Sequence, residues 1–329
     1  MQDTGLTDRQ KETLTYLGSQ SNSKTIEARS ASWISNVKEN RKFYSKGNQP
    51  LLGMTVYVVA AGPSLRKNVS ALKNVGRLGV IVCVDASYRY LREQGVRPDY
   101  CATIDADSRM LSMIDGAETK DVTLVAQASA SPNLVAYWQG PKYFLRATGG
   151  SKDLDEKLHA AHRVVRLKKT IIAGEIIDPL EDIEVEFPGL NEALVCGGNV
   201  TSYAHTFALS LLRAVRVVFV GCDYSWTDAE DFYAGGEHHE MSKERMTGEN
   251  IFSHPVIGGS ECATNFTLFH LKTWHEELAA AHQGHAINAS EGGILGVSKT
   301  GEPLPGWEFI PLAEAVEKYS PPMEANCPA

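Results

Sequence analysis

The chain predicts an α/β fold: a parallel sheet with helices packed on its faces. Three observations carry that reading. Runs of β-branched and aliphatic residues alternate with helical segments from about residue 55 to 145. The runs are apolar throughout instead of alternating, as strands covered on both faces are. Glycine-rich or acidic turns close several of them at the carboxyl end, where open α/β sheets bind ligands.

Residues 1 to about 50 read as a polar helical extension, with Trp33, Ile34, Val37 and Phe43-Tyr44 on one sparse apolar face. The catalytic-type domain spans about 51–320 and opens on Thr55-Val56-Tyr57-Val58-Val59-Ala60-Ala61, a buried strand followed by a helix near 65–75. Strand Gly79–Asp85 precedes a helix near 86–95, and strand Tyr100–Asp105 a short helix near 108–115. Val122–Ala126 and Lys142–Leu145 are further strands. The charged stretch 150–195 reads as an insertion. A helix from Val200 to Arg213 takes Asn199 or Thr201 as its N-cap, and strand Arg216–Gly221 follows. Residues 227–262 read as a long loop, suited to a mobile lid. A helix near 266–283 and a short strand from Ala286 complete the pattern.

The 329 residues are 43% hydrophobic and 22% charged, an ordinary globular balance, with a net charge of −8. No Lys/Arg run marks a nucleic-acid surface. The apolar runs are strand-sized, so no membrane span is expected, and the first residues lack a signal-peptide pattern, which predicts a cytoplasmic protein. The six cysteines are scattered without a C-x-x-C pair, as reduced thiols would be, and so predict neither zinc nor disulfides.

The chemistry concentrates in turns. Gly62-Pro63-Ser64 joins a strand to a helix N-terminus, where free N–H groups and the helix dipole favour a phosphate. A side chain at Gly62 would then fill phosphate space. The string is neither the dinucleotide fingerprint nor a P-loop. Asp85, Asp105 and Asp223 end predicted parallel strands, which puts all three on the rim of that turn; capping of the next helix is the plainer role for each. Asp105-Ala106-Asp107 has the D-x-D spacing that holds a divalent ion against a diphosphate, although Asp107 could simply cap a helix. Gly197-Gly198-Asn199 is a second glycine turn at a helix start, suited either to a ligand or to close packing. His205, in that helix, reads as a core histidine, whereas His238 and His239 in the long loop could act as acid or base. Asn288 with Glu291-Gly292-Gly293 makes a third polar turn expected to meet the other two.

Several of these strings together resemble one family. Val58-Val59-Ala60-Ala61-Gly62-Pro63-Ser64-Leu65 is similar to the first motif of the Maf (motility-associated factor) flagellin glycosyltransferases and the related 6-hydroxymethylpterin diphosphokinases, the MptE-like domain family. Val84-Asp85, Gly95-Val96-Arg97-Pro98-Asp99 and Thr103-Ile104-Asp105 resemble the next segment. Gly197-Gly198-Asn199-Val200 with Val220-Gly221-Cys222-Asp223 resembles the distal motif, which commonly has serine at position 199 and glutamine at 222. Ile287-Asn288-Ala289-Ser290-Glu291-Gly292-Gly293 resembles the Maf ending I-N-A-T-E-G-G.

The resemblance implies a Rossmann-like, sialyltransferase-like core and a glycosyltransferase that moves a sugar from a CMP- or UDP-type nucleotide donor. The C-terminal motif favours that branch over an ATP-dependent diphosphokinase using magnesium; a nucleotide-binding module without catalysis is a third reading. Gly62, Pro63 and Ser64 would hold the donor phosphate. Asp105, with Asp85, would meet ribose or sugar hydroxyls, or with Asp107 a magnesium ion if one is used. Gly197, Gly198, Asn199, Asn288 and Asp223 would line the donor or acceptor side, and Asp223, His238 or His239 would be the general base. The acceptor stays open among protein, glycan, small molecule and modified nucleic-acid base.

Overall fold

The computed structural model describes residues 27–43, 53–146, 152–162, 196–227, 233–235, 251–282 and 286–322, together with four short strands between 166 and 181 and Leu194. Helix α1 covers 27–40 and lies on the core through Val37, with Trp33, Ile34 and Phe43 packed alongside.

The predicted alternation follows. Strand β1 (Thr55–Val59) leads into α2 (Leu65–Asn68) and a 3₁₀ turn, Val69–Asn74. Strand β2 (Gly79–Val84) is followed by α3 (Asp85–Glu93), and β3 (Tyr100–Thr103) by a 3₁₀ segment, Ser108–Met113. Then come β4 (Thr123–Gln127), α4 (Pro132–Tyr137), β5 (Lys142–Leu145) and α5 (Lys152–His162). The stretch expected as an insertion contributes β6 (Arg166–Leu167), β7 (Thr170–Ile172), β8 (Glu175–Ile177) and β9 (Leu180–Glu181). These form two small antiparallel pairs, β6 with β9 and β7 with β8, outside the main sheet. Helix α6 (Val200–Ser210) and β10 (Arg216–Val220) restore the α/β pattern. The hairpin β11 (Ile251–Pro255) and β12 (Glu261–Asn265) precedes α7 (Phe266–Ala281), β13 (Ala286–Asn288), β14 (Trp307–Phe309) and α8 (Leu312–Tyr319).

Eight strands make one sheet in the order β14-β13-β10-β1-β2-β3-β4-β5, and every neighbouring pair is parallel. The predicted α/β class is therefore the observed one. Both faces are covered, which explains the apolar runs. Tyr57, Val59 and Cys83 point into one core with α3, α4 and α8, while Val56, Val58 and Phe219 point into the other with α6 and α7. Strands β1 to β5 step outward on one side of β1, and β10, β13 and β14 step outward on the other. The order thus reverses between β1 and β10, and this switch point is where such sheets open a crevice at their carboxyl ends.

Two expectations need correction. Residues 227–262 are not one long loop: 251–255 and 261–265 pair as a hairpin that turns at Gly258-Gly259, and Trp226 bridges to Ala263. His254, Cys262 and Thr264 form its buried face. Strand patterning is weak there because only every second residue is covered, and polar types cover it. The proposed lid residues 228–232 and 236–250, with His238 and His239, lie outside the described residues. Second, the helix expected over 65–75 keeps α geometry for a single turn. Cys83, Cys101, Cys196, Cys222 and Cys262 are free thiols, and no helix among the described residues is long and apolar enough to cross a membrane.

Phe219 tests the core. It is fully buried, and its ring meets His205 at 4.8 Å, Trp307 at 5.5 Å and His275 at 5.7 Å between centroids. Phe219→Ala removes those contacts and leaves a cavity. It should cost about 3–5 kcal/mol of unfolding free energy in a denaturant titration.

Candidate functional site

The turns after β1, β10 and β13 converge at the switch point. Gly62 N donates to Gly221 O at 2.8 Å, which locks the β1 turn to the end of β10. Asp223 then reaches back: its Oδ2 accepts from Ser64 N at 2.8 Å, and its Oδ1 accepts from Ser64 Oγ in a very short contact. The turn after β13 closes over this pair. Asn288 Nδ2 donates to Leu295 O and its Oδ1 accepts from Ser290 N, both at 2.8 Å, which shapes the loop between. Ile294 N donates to Asp223 O at 2.9 Å. Gly293 sits at φ +76°, and a Cβ there would lie 2.3 Å from Asp223 Cα. Only glycine accepts both that backbone conformation and that approach.

These turns floor a cleft of about 680 Å³, within the range of small-molecule sites. Ser64, Arg66 and Lys67 form its basic side; Trp226, Val256, Ile257 and Phe309 form an apolar side; Asp223, Asn288 and the Glu291-Gly292-Gly293 turn lie between. Lys67 Nζ donates to Glu291 O at 3.3 Å and stands over that turn. No described residue accepts from the backbone N–H of Gly292 or Gly293, so these donors are open to a ligand in the cleft.

Asp223 is 4% exposed. Burial pushes its carboxyl up to about 6, against the lowering effects of the Ser64 hydrogen bonds and the Lys67 charge. The same carboxylate accounts for a departure from the sequence reading of the Gly62-Pro63-Ser64 turn. Ser64 N, one of the N–H groups of the turn expected to hold a phosphate, donates to Asp223 instead. A Cβ on Gly62 would lie 2.5 Å from Gly221 O and 2.7 Å from Asp223 Cγ. A side chain at Gly62 therefore collides with protein, not with ligand space.

The other acidic residues sit along the same rim without lining this cleft. Asp85 is the first residue of α3 and 1% exposed. It accepts from Ala86 N and Thr103 Oγ1, both at 2.8 Å, and burial pushes it up to about 7. Asp105 accepts from Asp107 N at 3.0 Å and from Arg29 of α1 at 3.1 Å. Asp107 caps the 3₁₀ segment through Arg109 N, and the Arg109 guanidinium grips its carboxylate at 2.6 Å, which holds its pKa below the usual range. Both D-x-D carboxylates thus face guanidinium groups, a poor fit to an open cation site. Among the described residues no group of three metal-ligating side chains occurs.

The Gly197-Gly198-Asn199 turn also lies off this cleft. A Cβ on Gly197 would lie 2.4 Å from the Trp274 ring, so this glycine permits close packing. Asn199 is the N-cap of α6 in a reciprocal capping box with Ser202. His205 is buried in the core, as its position suggested, stacked on His275. Sequence reading did not single out Lys67, Trp226, Ile257 or Phe309. Lys67 had a signal, two basic residues just inside a helix that starts at a ligand-type turn. The other three reach the cleft only through tertiary packing.

Gly62→Ala should disrupt the β1–β10 junction. We expect a loss of about 1–3 kcal/mol in unfolding free energy, the usual cost of forcing atoms into a packed site, read by urea denaturation. An unchanged midpoint would contradict the close approach.

A family model described as 6-hydroxymethylpterin diphosphokinase MptE-like matches residues 31–229, more than half of the chain. Among solved structures, the Maf glycosyltransferase from Magnetospirillum magneticum AMB-1 is similar in fold, with a TM-score of 0.53 and 15% identity. That likeness covers 85% of this chain and 38% of the other, so this chain spans well under half of that protein. No curated protein matches the chain. The β1 turn, the acidic strand ends and Asp223 all fall inside the family match, which bears out the resemblance read from those motifs: the chain belongs to the 6-hydroxymethylpterin diphosphokinase MptE-like family.

Proposed function

We propose that the protein is a glycosyltransferase that moves a sugar from a nucleotide-activated donor of CMP or UDP type, with the donor in the switch-point cleft. One observation carries this reading. A buried carboxylate whose pKa is raised to about 6 lies on the floor of a cleft that has a basic side and an apolar, partly aromatic one. A nucleotide has the matching two halves. Its base would rest on Trp226 or Phe309, and its phosphate would take Lys67 and the open N–H groups of Gly292 and Gly293. Ser64 then serves mainly to orient Asp223, with Pro63 shaping the turn.

Asp223 is the proposed general base. A carboxylate with a pKa near the working pH is well matched to proton transfer. It takes the proton of the acceptor hydroxyl as that oxygen attacks the anomeric carbon. The bond from that carbon to the phosphate oxygen breaks, and the nucleotide leaves with its charge met by Lys67 and the glycine amides. The fold likeness to a Maf glycosyltransferase supports this reading because it covers more of the chain than the family match does, and the cleft needs walls from 256 to 311.

The family description favours a second reading, diphosphate transfer from ATP to a hydroxymethylpterin-like alcohol. The same base would serve, with attack at phosphorus and AMP leaving. Magnesium belongs to that reading, and for Asp105 and Asp107 to hold it they would first give up Arg29 and Arg109.

A thermal-shift series with CMP, UDP, GDP and ATP, each with and without magnesium, separates the two. A ligand at a hundredfold over its Kd stabilises by about 2.7 kcal/mol. Stabilisation by CMP or UDP supports sugar transfer, and selective stabilisation by ATP with magnesium supports the diphosphokinase. Lys67→Ala should weaken the bound nucleotide about tenfold to a hundredfold, the worth of a hydrogen bond to a charged group.

The Asp223 base also sets a pH dependence. It acts only when ionised, so the transfer rate should rise with pH through about 6 and level above it. Asp223→Asn should lose that limb together with most of the rate. A rate flat from pH 5 to 7 would exclude Asp223 as the base.

A further inference from the structure

We infer that Glu291 is a positioning residue that ties the apolar side of the cleft to its basic side and so sets the spacing between nucleoside and phosphate. The inference rests on the proposed nucleotide seat and adds the residue that joins its two halves.

The two halves come from segments far apart in the chain. Arg66 and Lys67 of α2 belong to the basic side, and Phe309, Ile310 and Pro311 to the other. Strand β14 is held to β13 as far as Phe309, and Ile310 N reaches Asn288 O at 3.4 Å. Beyond that point the chain meets the glycine turn through Glu291. Its Oε1 accepts from Leu312 N and from Asn68 Nδ2, both at 3.0 Å. Leu312 opens α8, and Pro311 at its N-cap position makes no side-chain cap. The Glu291 carboxylate fills that place and meets the positive end of the helix dipole. One oxygen thus joins α8 to α2.

Helix α2 grips the same residue from the other side. Lys67 Nζ donates to Glu291 O at 3.3 Å. Asn68 Nδ2 has three oxygens around it: Glu291 Oε1, Ala289 O at 2.9 Å and Ser290 O at 3.3 Å. Only the amide nitrogen can face all three. Glu291 itself has φ +58°, in the left-handed region where a non-glycine residue persists only if its surroundings hold it. That torsion directs the chain that follows, which is Gly292 and Gly293. The Glu291 side chain, fixed by Asn68 and Leu312, therefore places the glycine turn relative to the wall beside Phe309.

The sign of the charge separates this role from a simpler one. Glu291 brings a negative group beside the seat proposed for a phosphate. If only its charge mattered, removing it would tighten phosphate binding. A tie predicts the opposite, because a seat that loses its spacing no longer engages base and phosphate at once.

Isothermal titration of the full chain with CMP beside cytidine, UMP beside uridine and AMP beside adenosine tests this. The affinity ratio of nucleotide to nucleoside isolates the phosphate. In the wild type at least one nucleotide should bind about tenfold to a hundredfold tighter than its nucleoside, and Glu291→Ala should lower that ratio about tenfold. Glu291→Gln, whose side-chain oxygen can still accept from Asn68 and Leu312, should keep the ratio at or above the wild-type value. Asn68→Ala, which leaves the charge of Glu291 in place, should lower it as Glu291→Ala does. Glu291 is exposed, so its variants decide the matter if Asn68→Ala does not fold. A ratio unchanged or raised in Glu291→Ala would overturn the inference, and so would an equal loss in Glu291→Ala and Glu291→Gln. Parallel weakening of nucleotide and nucleoside leaves the ratio unchanged and counts as the same negative result. Failure of the nucleotide seat shows separately, in the wild type: no nucleotide then binds tighter than its nucleoside, and the inference falls with it.

Discussion

The contact between Asp223 and Ser64 organises this end of the molecule. A carboxylate this deeply buried must be hydrogen-bonded or neutralised, because losing water costs a charged group far more than a neutral one. Ser64 supplies two donors, one from its backbone and one from its hydroxyl. To do so, the turn after β1 must approach the end of β10 more closely than side chains permit. Glycine at 62 and 293 follows from that requirement, since a Cβ at either position would enter Asp223 or its neighbours. Closing the two strand ends on each other leaves the cleft as the space beside them.

Two buried carboxylates on the same rim show how position decides chemistry. Asp85 and Asp223 both have raised pKa values for the same first cause, desolvation. Asp85 is sealed between Thr103 and the start of α3 and does not line the switch-point cleft. Asp223 has comparable burial but forms part of a cavity wall, beside Lys67. Asp105 and Asp107 are more accessible and are engaged by arginines instead. Helix α1 adds to this: besides Arg29, its Asn36 and Asn40 donate to the backbone of the loops after β3 and β4. The N-terminal helix thus fastens the rim on the side away from the cleft.

Much of this was legible before any coordinates. Five apolar strands in succession, three of them closed by a glycine turn or an aspartate, indicated a parallel sheet, because a strand covered on both faces must be apolar throughout and its carboxyl end must turn. Asn199 or Thr201 read as the cap of α6, of which Asn199 is the one, and His205 read as a core residue, both for local reasons. The hairpin at 251–265 and β14 were not legible. Their residues are polar or few: β11 and β12 pair with each other across a turn, and β14 adds to the edge that β13 offers. The phosphate expected at the Gly62-Pro63-Ser64 turn illustrates the same limit. A strand–turn–helix pattern shows that an anion is wanted there, but not that the protein supplies one from a residue 159 positions away.

The amino-acid sequence by itself determined the fold class, the family and the location of the chemistry at strand ends, because periodicity, turn composition and motif order are local properties. The tertiary structure alone decided the neighbours of each end. The pairing of β1 with β10 brought Asp223 to Ser64 and Gly293. The packing of α7 on α6 stacked His275 on His205. The return of β13 and β14 placed Phe309 and the glycine turn opposite Lys67. Each is a contact between segments far apart in the chain, set by the need to cover apolar faces and satisfy buried polar groups at once. Such a requirement belongs to the folded whole, and no stretch of sequence states it.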